Sequence, residues 1–362
     1  MKIYRKWLVF FSISCTSVFF SCYMVNTPQV PNMVGFHDIS GYYDAGENWH
    51  GGESPFSSPV TGIASSGKMS AAVNHDNIIA YSDDAKIWRI VSAYSGAVFH
   101  SVQYNSVTWG ALPAKEAKSS PSGGVFLAGG DGGKVAYSYD GIMWTRGVIG
   151  PMSPIDINGV AVGIMYDEPV FAAVGNDGRI CYAIGSVTGT WKEASHTPFG
   201  DVEGSGEDVF DVCFGTIKDQ GMFAAVGENG KFAYMRDFSG TWYGTKTGTG
   251  FNLNSVCYGD DRFVAVGNSG IIKFTDNPHE SVWSTSDSVV FGPRAFNTIR
   301  YDKCIGQYVL VGADSVVGYS ENGISWTAAT FKELFEEGIS AIGCTDTRII
   351  MGSKNGNIIY SN

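Results

Sequence analysis

Residues 254–283 read NSVCYGDDRFVAVGNSGIIKFTDNPHESVW, and this stretch decides the fold. SVCYG at 255–259 and FVAVG at 263–267 are short strand-like runs in which apolar residues alternate with small ones. Between FVAVG and IIKF stand Asn268, Ser269 and Gly270, residue types that tolerate the positive φ of a tight hairpin. A longer turn then leads to a fourth strand carrying Trp283. Four short antiparallel strands joined by hairpins cannot bury both faces alone, so the unit must stack against others like it.

The others are present. FLAGGDGGKVAYSYDGIMW ends at Trp144, FAAVGNDGRICYAIGSVTGTW at Trp191 and FAAVGENGKFAYMRDFSGTW at Trp242. YVLVGADSVVGYSENGISW ends at Trp326, and a worn copy, MSAAVNHDNIIAYSDDAKIW, at Trp88. From Trp88 onward the spacings are 56, 47, 51, 41 and 43 residues, the length of one four-stranded propeller blade. The last copy, ISAIGCTDTRIIMGSKNGNIIYS at 339–361, supplies only three strands. Its fourth stands at the other end of the chain, where YYDAGENWHGG at 42–52 matches YSENGISWT at 319–327. The expectation is an all-β, seven-bladed β-propeller of four-stranded antiparallel blades, its ring closed by an N-terminal strand so that no sheet edge is left open.

The turn and Trp of each copy resemble the Asp-box, Ser-x-Asp-x-Gly-x-x-Trp or one residue shorter. Ser138-Tyr139-Asp140-Gly141 to Trp144 is the best match, Ser320 to Trp326 is close, and Ser82-Asp83-Asp84 to Trp88 lacks the Gly. With AVGxxG, the chain from residue 40 onward is similar to Asp-box propellers of the photosystem II assembly factor type. That resemblance implies a structural Asp-box: its Asp (Asp140, Asp83) caps a hairpin, its Trp packs between blades, and ligands bind at the opposite face.

The first residues are an address. Lys2, Arg5 and Lys6 precede an apolar run from Trp7 to Phe20, too short to span a bilayer and proportioned like a secretory signal. Phe19-Phe20-Ser21-Cys22 resembles a bacterial lipobox, with Phe19 where Leu is usual, so Cys22 is the expected lipidation site. The domains are then a signal at 1–21, a tether at 22–35 and the propeller at 36–362, its last blade shared between 36–59 and 337–362. The expected location is the bacterial cell envelope, lipid-anchored and either periplasmic or surface-exposed.

Of 362 residues 47 are glycine, 44% hydrophobic and 14% aromatic, which excludes disorder. With 24 basic against 35 acidic residues the net charge is −11, opposite to the basic face of a nucleic-acid binder. Loss of residues 1–21 removes three positive charges and no negative one, leaving −14. Beyond Cys22, Cys181, Cys213, Cys257, Cys304 and Cys344 form no CxxC and no Cys/His cluster, so neither zinc nor a disulfide framework is supported. No cofactor, nucleophile elbow or phosphate loop is indicated. Among the arginines, only Arg294 and Arg300 lie near the start of an inner strand, so no sialidase triad assembles.

Aligning the first strands places Thr61, His100, Asn158, Phe210, Asn254, Asn297 and Ser340 where seven strands approach the axis, with Asp211 following Phe210. Thr61, His100, Asn158, Asp211, Asn254, Asn297 and Ser340 are the candidate axial binding ring; capping strand ends is the other role open to such residues. Asp76, Asp131, Asp177, Glu228 and Asp314 on the same face make it acidic, suited to a basic protein segment or a neutral glycan. Residues 105–124 read as an insertion extending a turn, and Trp109 within it either anchors a partner or folds onto its own blade. The 201–208 acidic loop and TFKELFEE at 330–337, one or two amphipathic helical turns, complete the departures from the repeat. Two functions stay open: a lipid-anchored, non-catalytic, monomeric platform for a protein partner, or a glycoside hydrolase or carbohydrate-binding protein of the Asp-box type. Lipidation is tested by phase partitioning: wild type should enter detergent and Cys22→Ala should not, and equal partitioning of both would rule it out.

Overall fold

A computed structural model describes residues 49–91, 94–95, 102–200, 206–280, 282–330 and 338–361. The signal, Cys22, the tether, His100, residues 201–205 and residues 331–337 of the helix expected at 330–337 lie outside the described residues. Seven four-stranded antiparallel blades form a ring. Blade 1 starts on the inner strand Val60–Ser65, and blades 2 to 6 on Tyr104–Ala111, Ile157–Met165, Val209–Ile217, Leu253–Gly259 and Phe296–Asp302. Blade 7 has the inner strand Ile339–Cys344, and its outermost strand is Trp49–Gly51, with Trp49 opposite Ser361 and Gly51 opposite Ile359. Each inner strand packs on the next, and the seventh packs on the first.

The blades have no cores of their own. Seven clusters of buried side chains hold the molecule together, and each is shared by two neighbouring blades. Every cluster carries one repeat tryptophan, from the outer edge of its blade onto the preceding blade: Trp88 between blades 7 and 1, Trp144 between 1 and 2, Trp191 between 2 and 3. Trp242, Trp283, Trp326 and Trp49 serve the remaining interfaces in order. Second strands, such as Arg262–Gly267 and Gln307–Gly312, are buried from their second residue to their last because a neighbour covers each face. Small residues let the sheets approach. Phe214 lies over Gly163 of the blade before it, and Tyr301 over Gly259, where any Cβ would collide with the ring.

The turn between third and fourth strands has the geometry its residues imply. Asp140 Oδ1 accepts the amides of Ile142 and Met143, both at 2.8 Å, and Trp144 Nε1 donates to Gly141 O at 2.8 Å. Asn322 repeats this with Ile324 and Ser325 at 2.9 and 3.0 Å. In blade 1 the capping carboxylate is Asp84, at 2.8 and 3.0 Å from the amides of Lys86 and Ile87, and Ala85 takes the missing glycine's left-handed backbone at φ 62°. The expected Asp83 instead pairs with Arg89 at 3.6 Å.

One feature departs from plain four-stranded blades. Tyr94–Ser95 adds a fifth, parallel strand to Trp144–Val148 of blade 2. Single parallel bridges Glu53 to Ile87, His196 to Thr241 and Asp287 to Ser325 repeat the arrangement elsewhere. Chain leaving one blade's outer edge thus hydrogen-bonds to the outer strand of the next, a belt around the ring's rim. Since Trp49 both completes blade 7 and fills the last inter-blade core, Trp49→Ala should destabilise the fold by roughly 3–5 kcal/mol. Denaturation of wild type and variant at the same midpoint would contradict the closure.

Candidate functional site

The axial mouth is built from a repeated β-bulge. In every inner strand the register slips at the second residue: Thr61, Asn105, Asn158, Phe210, Asn254, Asn297 and Ser340. A bulge leaves its residue outside the ladder and re-aims the side chain. Here that side chain reaches the neighbouring blade. Asn158 Nδ2 donates to Val209 O at 3.0 Å, Asn254 Nδ2 to Phe296 O at 2.7 Å, and Asn297 Nδ2 to Ile339 O at 2.7 Å. Thr61 Oγ1 donates to Tyr104 O at 2.5 Å, and Ser340 Oγ to Val60 O at 2.7 Å. Each acceptor is the first residue of the next inner strand, so the ring is a girdle of inter-blade hydrogen bonds.

Blade 2 corrects the sequence reading. Its bulge residue is Asn105, which donates to Ile157 O at 2.9 Å, so Asn105 takes the position assigned to His100. Residues 105–111 are therefore inner strand, and only 112–123 form a loop, containing the short helix Ala114–Ala117. Trp109 sits within that strand opposite Phe126, half-buried against the core shared by blades 1 and 2. The signal was readable: NSVTWG at 105–110 repeats NSVCYG at 254–259.

Blade 4 breaks the pattern, because Phe210 has no polar group to offer. The next residue takes over the link to blade 5: Asp211 Oδ2 accepts Ser255 Oγ at 2.6 Å and Val256 N at 3.1 Å, and Arg300 Nη1 lies 3.5 Å away. Oδ1 accepts Val212 N at 2.9 Å. Asp211 is a buried brace between blades 4, 5 and 6, with donors on both oxygens. Arg294 pairs with Asp314 at 3.4 Å, so both arginines near an inner-strand start face acids. Cys257 and Cys181 are buried; loss of hydration pushes both thiols up, Cys181 to about 12, which disfavours a nucleophilic thiolate.

The turns after the second strands surround the mouth. Their middle residues adopt positive φ, 56° at Asp177, 55° at Asn229 and 55° at Asp314. Gly132, Asp177 and Asn229 donate their amides to Asp156, Asp208 and Asn252 at 2.9, 3.0 and 3.1 Å. The acceptors Asp156, Asp208 and Asn252 lead into the following blade, so these bonds hold consecutive blades in register. Among the described residues no group of His, Cys, Asp or Glu is arranged to hold a metal, and no helix is long and apolar enough to cross a membrane.

Solved structures share this architecture. One described as YCF48 bound to D1 peptide matches with a TM-score of 0.63 at 14% identity, over 86% of this chain and 96% of its own. YCF48 from Cyanidioschyzon merolae matches at 0.61 and 13% identity, over 87% and 98%. At such identities the likeness is one of fold. No protein-family model and no curated protein matches the chain.

Each girdle bond should contribute about 1 kcal/mol, so Asn105→Ala and Asn254→Ala should each lower stability by that amount, and Phe210→Asn should recover a similar fraction. Urea unfolding measures all three. Alanine variants as stable as wild type would show that the mouth does not hold the ring.

Proposed function

We propose that this chain is a lipid-anchored, monomeric, non-catalytic propeller outside the cytoplasmic membrane, whose axial face binds a protein partner as an assembly platform. The observation that carries the proposal is the match over nearly the whole propeller to YCF48 described as bound to a peptide. The mouth adds support. Its amides and hydroxyls hold neighbouring blades together, and Asp211 is saturated by Ser255, Val256 and Val212. A glycosidase needs two carboxylates facing one cleft, one of them free to donate or attack. Asp211 serves as a brace instead. The acidic turns favour a basic partner segment over an anionic ligand.

The test is site-specific photocrosslinking of the full chain in its native envelope. A photoreactive residue at Asp131 or Asp314 should give a discrete protein adduct, whereas one at Ile142, on the opposite hairpin face, should not. Adducts only from Ile142, or none from any position, would overturn the proposal. So would sugar release from a glycan panel that Asp211→Asn abolishes.

A further inference from the structure

The axial face is not uniform around the ring. Connections between blades turn their large apolar residues inward: Ile149 and Met152 leaving blade 2, Phe199 leaving blade 3 and Phe291 leaving blade 5 are all fully buried. At blades 1 and 2 single residues, Ile90 and Val148, are exposed where the outer strands end, and two neighbouring connections turn out more. Phe251, leading into blade 5, is 51% exposed; Val289 and Val290, leading into blade 6, are 86% and 52% exposed. Both connections lie on the axial face, because each packs against the turn of the blade it leaves. Thr247 Oγ1 donates to Gly230 O at 2.6 Å, and Gly292 O sits against Gly270. Phe210, the one apolar bulge residue, is half-buried at the mouth of blade 4, in the same arc.

Exposed apolar residues scattered singly need no explanation, whereas a group of them on one arc of one face marks an interaction surface. The charges beside them say what kind. Lys231 is paired with Glu207 and Arg294 with Asp314; of the other bases, Lys273 is buried and donates to Thr285 Oγ1 at 2.8 Å, and Lys246 stands exposed at the end of the outer strand of blade 4. Asp208 and Glu228 are left with amide donors alone, from Asp177 at 3.0 Å and Asp208 at 3.1 Å. The arc therefore offers apolar residues beside two carboxylates, Asp208 and Glu228, that form no ion pair among the described residues.

We infer that this arc, across blades 4 to 6, docks an extended segment of a partner protein in which a large apolar side chain is flanked by lysine or arginine. The apolar side chain seats on Phe251 and Val289, and the flanking base meets Asp208 and Glu228. An anionic membrane surface is disfavoured by the same carboxylates. The inference rests on the platform reading and narrows it to one sector and one partner chemistry.

A random peptide library displayed on phage, panned on the detergent-solubilised full chain, supplies the probe, and the selected peptides are then synthesised and titrated. They should carry an aromatic or aliphatic residue beside Lys or Arg. Their affinity should fall about tenfold or more for Phe251→Ser with Val289→Ser, and likewise for Asp208→Asn with Glu228→Gln, with melting temperatures retained. Ile142→Ser with Met143→Ser, on the far face, should bind as wild type does. Acidic peptides, no selected binder, or equal affinity for the apolar variant would each overturn the inference. If affinity is instead lost in Asp76→Lys with Asp131→Lys, the sector is wrong while the axial platform stands; the photocrosslinking result decides the platform separately. A dimer in sedimentation that Phe251→Ser dissolves would make the occupant a second copy and overturn it too.

Discussion

Everything in this molecule depends on the hydrophobic core that each blade shares with its neighbour. A four-stranded sheet of short strands has two apolar faces and cannot bury either one alone. One tryptophan per blade, from Trp49 to Trp326, lies against the blade before it. Such a ring buries on the order of 200 Å². Seven shared cores leave no place to stop, because an open ring would present two apolar faces and a sheet edge to water. Closure by Trp49–Gly51 follows from that constraint, and the girdle at the mouth and the parallel bridges at the rim add polar links at the inner and outer radii.

What the sequence revealed was what the constraint repeats. The tryptophan period, the apolar second strands and the split last blade are imposed on every copy by the same packing, so they survive divergence elsewhere. The mouth was harder to read, since a bulge is a shift of register and registers are set by paired backbones. The triads Tyr104-Asn105-Ser106, Leu253-Asn254-Ser255 and Phe296-Asn297-Thr298 do carry the signal: an apolar residue, the bulge asparagine, then a small residue. The variable connection before blade 2 drew attention to His100, and Trp109 looked foreign because no other copy has Trp at its inner strand. Asp83 and Asp84 present a similar difficulty: two adjacent acids compete for one cap, and the Lys86 and Ile87 amides, 2.8 and 3.0 Å from Asp84, decide between them.

The same details bear on function. Polar residues gathered on an axis look like a binding ring, but here their donors are engaged by the neighbouring blades. What distinguishes this chain from an idealised propeller is asymmetry: Phe210 in place of a girdle residue, Asp211 braced to Ser255 and Arg300, and Phe251 and Val289 turned outward nearby. Residues that depart from a repeat without serving the fold are where a partner is to be sought. The fold itself hosts many activities, so a function must be read from these residues and not from the architecture.

The central claim is that the axial face of the closed ring is the working surface. Hydrogen–deuterium exchange of the full chain, compared between native envelopes and purified protein in detergent, tests it most directly. The account predicts slower exchange in the envelope at the axial connections, residues 248–254 and 286–294, with the hairpin at 139–143 unchanged. Protection confined to that hairpin, or identical exchange everywhere in the two preparations, would contradict it.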